Sequence, residues 1–408
     1  MTQLIESAKR LVSESIIAPK GFSAAGFHCG LKHKKKDIGM IFSEVPASVA
    51  GVFTTNAIKA APLVLTKNTV YANEKMQAII INSGNANACT GEQGIKDAKQ
   101  MQVLAAAKLG IDENLVGVAS TGVIGERMKM DKVEAGIAAL QLGGKLENAI
   151  DFAQSILTTD TVMKNTAYSL EIDGKEVIIA GVAKGSGMIE PNMATMLGFI
   201  TTDANIEQST LQSLLKETTD ITFNAITVDG DTSTNDTVLV LANGLANNQT
   251  LDEQHPQWST FVEIFQLVSR DLAKLIAKDG EGATKLIEVT VEGGATDAEA
   301  LKIAKTVVGS PLVKTAVFGC DANWGRVICA IGYSGCSIDP TNIQISIGQT
   351  MVVDKGEPLQ FDEAVLTAYL KNHEVKIYAN LFQGDGYGQA WGCDLTYDYV
   401  QINATYRS

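Results

Sequence analysis

The chain has 408 residues, 45% of them hydrophobic and 19% charged, an ordinary globular balance with length for two or three domains. Forty-six acidic against thirty-three basic side chains leave a net charge of −13, which disfavours nucleic acid and anionic lipid as partners but leaves room for a local basic pocket. No apolar run approaches the ~18–20 residues of a membrane span, the first residues show mixed charge rather than a secretory core, and six cysteines without C-x-x-C spacing read as reduced thiols of a cytoplasmic protein.

In chain order, "SVAGVFTT", "APLVLT" and "MQAIIIN" between residues 48 and 83 predict short strands. The glycine- and asparagine-rich "SGNANACTGEQG" is a loop. Thr90 and Gln93 fit a capping box, and Ile95, Ala98, Met101, Leu104, Ala105 and Leu109 predict a helix stopped by Gly110. "LVGVAS" is a short strand feeding "TGVIGE". Helices are expected over Lys132–Leu142 and Ala149–Leu157. "EVIIAGVAKGSGMI" reads as a strand running into a glycine turn, and "TMLGFITTDA" as the next strand. Leu211, Leu214 and Leu215 mark a helix, "TVLVLAN" a strand, and Trp258 to Leu275 a long helix ending at Gly280. "LIEVTVEG" is a strand, and Thr296 with Glu299 caps a helix to Val308. "TAVFG", "VICAIGY", "NIQISIG" and "EVKIYANL" look like strands, and "FDEAVLTAYLKN" like a helix. Strands and helices in this mixed order predict an α+β protein of sheets covered by helices. The expected division is a catalytic domain over 1–285 and a smaller C-terminal α/β domain over 286–408.

One stretch stands apart. In "GMIEPNMATMLGFITTDA" a proline turn leads through Ala194 to Thr195 and into an apolar run. A threonine hydroxyl is a weak nucleophile unless a base takes its proton. At a chain terminus its own α-amine, with a pKa of about 7.7–8.0, can serve. An internal threonine reaches that state only if the preceding peptide bond breaks, and Ala194 offers little bulk against attack on its carbonyl. The bland reading is a β-branched residue in a strand.

"GVAKGSGMIEPNMATMLGFITTDA" resembles the self-cleavage segment of the ornithine acetyltransferase family, also called glutamate N-acetyltransferases or the ArgJ family. "PKGFSAAGFHCGLK", "INSGNANACTGEQG", "STGVIGE", "ILTTDT", "TVDGDTSTNDT", "KDGEGATKL", "FGCDANWGR" and the terminal "QINATYRS" resemble further family segments in family order, over nearly the whole chain. The resemblance implies a layered αββα-type sandwich like that of N-terminal-nucleophile hydrolases, with different connectivity. It implies cleavage between Ala194 and Thr195 into an α piece (1–194) and a β piece (195–408), usually assembled as α2β2. Thr195 then carries an acetyl group from N-acetylornithine to glutamate in a ping-pong reaction, without metal or tightly bound cofactor. Certain members also accept acetyl-CoA.

The same resemblance assigns the remaining roles. Thr121 and Gly122 in "STGVIG" fall on the oxyanion residues, where a hydroxyl and a closely approaching backbone N–H suit developing negative charge; the bland alternative is a strand-ending turn. Lys184 in "AKGSG" falls on a substrate-binding lysine suited to a carboxylate, although a lone lysine is more often solvated. Thr158 falls on a substrate contact, with Thr159 and Thr161 beside it as alternatives, and Glu281 suits an ammonium. Asn403 and the terminal Ser408 match binding positions, so trimming the C-terminus should reduce activity, contrary to the usual dispensability of termini. "DGDTSTND" misses the EF-hand pattern, and His28, His33, His255 and His373 lack ligand spacing; both are read as structural. Two rivals stand beside acetyl transfer: a self-activated aminopeptidase or amidase, and a binding protein whose threonine never reacts.

Overall fold

The structure, a computed structural model, describes residues 8–12, 14–190 and 196–405. The chain forms two compact units, one built from Met1–Gly185, Asn192–Asp220 and Thr232–Leu272, the other from Ser186–Pro191, Ile221–Asp231 and Ala273–Ser408. Helices and sheets occur in both, as the α+β expectation requires. No helix among the described residues is long and apolar enough to cross a membrane.

The first unit holds strands β1 (Ala8–Arg10), β2 (Phe22–Phe27), β3 (Ile38–Phe53), β4 (Lys75–Asn85), β5 (Val116–Val123), β6 (Lys164–Ile172), β7 (Lys175–Lys184) and β8 (Leu197–Thr202). β9 (Ile226–Thr227) belongs to the other unit, and β10 (Thr237–Ala242) returns to the first. Their order is β1-β6-β7-β8-β10-β3-β4-β5, with β2 added beside β3. Within it, β8 runs parallel to β10 and antiparallel to β7. β3 is long enough to serve three neighbours. β4 follows one edge, while β2 takes the other edge over Ile38–Ser43 and β10 takes it over Ser48–Phe53. The β3–β4 register shifts between Phe42 and Ala47. That stretch contains Pro46, which has no N–H to give to a ladder.

The helices of this unit are α1 (Ala61–Asn73), α2 (Gly91–Leu109), α3 (Met130–Ala139), α4 (Leu146–Ile156), α5 (Gln208–Ile221) and α6 (Trp258–Lys278), the last two ending in segments of the other unit. Alternation along β4 separates two cores. Ile79 and Ile81 join Ile41, Phe199, Leu239 and the α4 residues Ala149, Phe152 and Ile156. Ala78 and Ile80 join Met40, Val118 and residues of α2 and α3. Successive strand residues point to opposite faces, so one strand feeds both layers. Every residue of β8 and β10 is buried. α4 lies so close to the sheet that a Cβ on Gly26 would come within 1.9 Å of the Asp151 carbonyl oxygen.

The second unit is a seven-stranded sheet among the described residues, in the order β14 (Glu357–Pro358), β13 (Thr350–Asp354), β12 (Gln344–Ile347), β15 (Glu374–Asn380), β11 (Leu286–Gly294), β16 (Gly386–Cys393) and β9. Its helices are α7 (Asp297–Gly309), α8 (Pro311–Phe318), α9 (Trp324–Gly332), α10 (Glu363–Leu370) and α11 (Tyr397–Ala404). Ile287, Val289 and Val291 of β11 pack with Ile303, Ala304 and Val307 of α7 in one apolar cluster.

Three strand expectations fail. "APLVLT" opens α1, with Pro62 in its first turn and Leu63, Thr66 and Val70 buried at helical spacing. "TAVFG" lies in and just after α8, where Ser310 accepts from the Val313 N–H and Pro311 starts the helix. "VICAIGY" lies on α9, burying Val327, Ala330 and Ile331. Short apolar runs rich in β-branched residues do not reveal their period, and packing decides. The Thr90 box also fails: its hydroxyl donates to Asn87 Oδ1 instead of capping. Thr296 does accept from the Glu299 N–H.

Phe152 meets Phe199 edge-on at 5.8 Å between ring centroids. Phe152→Ala is expected to lower the unfolding free energy by about 3–5 kcal/mol in urea denaturation. A loss below about 1 kcal/mol would mean that the site collapses freely and that this contact does not anchor α4.

Candidate functional site

β5 and β7 end at the same place in the first unit. Thr121 and Gly122 lie near the end of β5, and Lys184 is the last residue of β7. Lys184 Nζ donates to Thr121 Oγ1 at 3.3 Å, with both residues buried. An oxygen that accepts from an ammonium keeps its own O–H available as a donor. Gly122 has φ of 131°, and a Cβ there would lie 2.4 Å from the Gly84 carbonyl carbon. Only glycine lets the end of β4 approach so closely.

A buried amide network supports this corner. Asn235 Nδ2 donates to the carbonyls of Ala86 at 2.6 Å and Ser120 at 2.8 Å. Ser120 Oγ donates to Asn82 Oδ1 at 2.6 Å, and Asn82 Nδ2 donates to the Asn85 carbonyl at 2.9 Å. Asn235 of the "TSTND" segment therefore holds the backbone next to Thr121, and the same amide ties it to the asparagine-rich loop at Ala86.

Asp160 organises the other side. Its carboxylate takes the Lys164 ammonium at 2.6 Å, the Gly185 N–H at 2.7 Å and the Thr158 N–H at 3.0 Å. Asp160 and Lys164 are both buried. Burial pushes the Asp160 carboxyl up, but Lys184 and Lys164 outweigh it and hold the group well below the usual carboxylate range. Thr158 is half-buried with its backbone anchored, Thr159 is half-buried, and Thr161 is exposed.

Glu281 and Asn403 meet in the second unit. Glu281 is buried, its N–H donates to the Ser186 carbonyl at 2.9 Å, and its Oε2 accepts from Asn403 Nδ2 at 2.8 Å. Asn403 stands on α11, which Thr396 ties to the Gly282 carbonyl at 2.7 Å. Asp229, from the acidic segment read as structural, accepts from the N–H groups of Met188 and Ile189 at 2.7 and 2.8 Å. Burial pushes the Tyr399 phenol up, and the Asp229 and Glu281 carboxylates add to it. A cavity of about 440 Å³ elsewhere in this unit is lined by Glu190, Lys302, Lys305, Ser310 and Tyr333 among others, and contains none of the expected site residues.

Thus Thr121, Gly122, Lys184 and Thr158 belong to the first unit, and Glu281 and Asn403 to the second. Ala194, Thr195 and Ser408 lie outside the described residues. Among the described residues no group of three His, Cys, Asp or Glu side chains is arranged to hold a metal ion. Sequence reasoning missed Asp160, Lys164, Asn235 and Asp236. Asp160 lies within the quoted "ILTTDT", and its carboxylate amid hydroxyls and four residues before a lysine was the available signal.

Comparison with known proteins gives a consistent result. The model of the ArgJ family matches residues 23–408. The arginine biosynthesis bifunctional protein ArgJ of Shouchella clausii is 58% identical over 407 residues, covering 100% of this chain and 99% of its own. That of Bacillus subtilis is 52% identical over 408 residues, covering 100% of both. The crystal structure of a Bacillus halodurans protein of the same name is 59% identical with a TM-score of 0.50, covering 51% of this chain and 98% of its own.

Asp160→Asn removes one partner of a buried pair and is expected to cost about 3–5 kcal/mol at pH 7. A depressed folded-state pKa gives stability that is present above the unfolded pKa and lost as pH falls, so the gap to the parent should narrow below about pH 4. Urea titrations at pH 7 and 3.5 check both; equal losses at the two pH values would refute the ionised state.

Proposed function

The chain belongs to the ArgJ family, and from that premise we propose how its residues move an acetyl group. It is a glutamate N-acetyltransferase of arginine biosynthesis, exchanging one secondary amide for another. Thr195 first attacks the Ala194 carbonyl, and water releases the resulting ester, leaving Thr195 at a new N-terminus. Its Oγ then attacks the acetyl carbonyl of N-acetylornithine while its α-amine takes the proton. The tetrahedral oxyanion is met by the Thr121 hydroxyl and the Gly122 N–H. Collapse expels ornithine, which receives the proton from the amine. The glutamate amine attacks the acetyl-threonine ester in the second half-reaction. As a bifunctional member, the enzyme also takes acetyl from acetyl-CoA.

Lys184 pairs with the carboxylate common to ornithine and glutamate, and Thr158 makes a further substrate contact. Glu281 receives an ammonium, and Asn403 and Ser408 position the substrate. The processed pieces assemble as α2β2 in the cytoplasm. The buried Lys184–Thr121 contact beside Gly122 carries this reading, because it brings a fixed cation and a hydroxyl donor together.

N-terminal sequencing of the purified protein should find a fragment beginning "TMLGF", and Thr195→Ala should remain one intact polypeptide. An intact parent that is fully active would sink the mechanism. Thr121→Ala should lower kcat by about 10²–10³-fold with little change in KM. In the same assay, acetate release that is independent of glutamate would favour the amidase alternative.

A further inference from the structure

Asp236 is a carboxyl group that the mechanism above does not use. It precedes Thr237, the first residue of β10, and is 3% exposed. Its Oδ2 is buried and makes no hydrogen bond among the described residues. The rest of the carboxyl is bonded from Ser233, and the Asp236 carbonyl accepts from the Thr54 N–H at 2.9 Å. Thr237 and Lys184 flank the same residue, Leu197, from opposite edges of β8. The preceding Asn235 donates to the Ser120 carbonyl at 2.8 Å, one residue before Thr121. An idle buried carboxyl oxygen is costly to leave unpaired, and here it lies one residue before β10, whose neighbour β8 also pairs with the Lys184 end of β7.

We propose that Asp236 works as a neutral carboxylic acid whose Oδ2–H donates a hydrogen bond into the acyl-transfer site, a donor beside Thr121 and Gly122. The inference rests on the acetyl-transfer reading. The surroundings support the neutral form: the carboxyl is buried with one oxygen that makes no hydrogen bond among the described residues, and acids held neutral in apolar sites can donate in this way. Burial pushes the Asp236 carboxyl well above the usual range, and Lys184 opposes that push only in part. Lys184 of β7 is a charged group whose field reaches it; Thr54 after β3 and Ser233 before β10 are uncharged.

Asn has the shape of Asp and donates an N–H, so Asp236→Asn separates a neutral donor from a carboxylate. Acetyl transfer from N-acetylornithine to glutamate is measured for the parent, Asp236→Asn and Asp236→Ala, with mass and thermal melts on each sample. The expected result is that Asp236→Asn keeps kcat within about threefold while Asp236→Ala loses about 10²-fold or more. A raised folded-state pKa gives stability that is lost as pH rises, so the melting temperature of Asp236→Asn should gain on the parent between pH 5 and 9. This second readout stands even if Asp236→Ala does not fold. Loss of more than about tenfold by Asp236→Asn, whether processed or intact, overturns the proposal, as does a melting difference that is flat with pH. A parent inactive in acetyl transfer would instead refute the reading beneath it, while the melts still report on the carboxyl.

Discussion

A single buried carboxylate, Asp160, ties the loop after α4 to the end of β7. By taking the Gly185 N–H it fixes the backbone immediately after Lys184, and by taking the Lys164 ammonium it makes that buried cation tolerable. Burying two ions costs several kcal/mol each unless their remaining donors and acceptors are met. Here the carboxylate has two backbone N–H groups and an ammonium. A chain selected for stability alone could fill this space with apolar side chains. The arrangement instead places a lysine of fixed direction against Thr121.

Lys184 stands between two acids of opposite character. Asp160 is ionised because two ammonium groups and backbone donors surround it, whereas Asp236 has burial without equivalent compensation. Two chemically identical side chains separated in protonation state by their surroundings are a recurring mark of acid–base assignment in enzymes. Next to Thr121 lies the amide network of Asn82, Asn235 and Ser120. It is fully enclosed, so each member constrains the others, and the Thr121–Gly122 corner inherits that rigidity.

Much of this was legible in the sequence. The strand feeding "TGVIGE", the strand ending at Lys184 and the long helix from Trp258 follow from periodicity, and the residues that motif order proposes for the site include two pairs in contact, Thr121 with Lys184 and Glu281 with Asn403. What was not legible depends on contacts distant in the chain. Asp160 meets Gly185 across 25 residues and Asn235 meets Ser120 across 115, and no local pattern encodes such pairs. α1, α8 and α9 read as strands because β-branched residues favour strands in isolation, while proline in the first turn of α1 and α8, and burial at helical spacing in all three, prevail in the fold.

Strand order in the first unit bears on what a chain break can do. A cut between Ala194 and Thr195 assigns β1 through β7 to one piece and β8 onward to the other. Yet β8 and β10 lie between β7 and β3, hydrogen-bonded along both flanks to strands of the earlier piece. Two such pieces would be interleaved rather than docked. They would part only by unzipping a shared sheet.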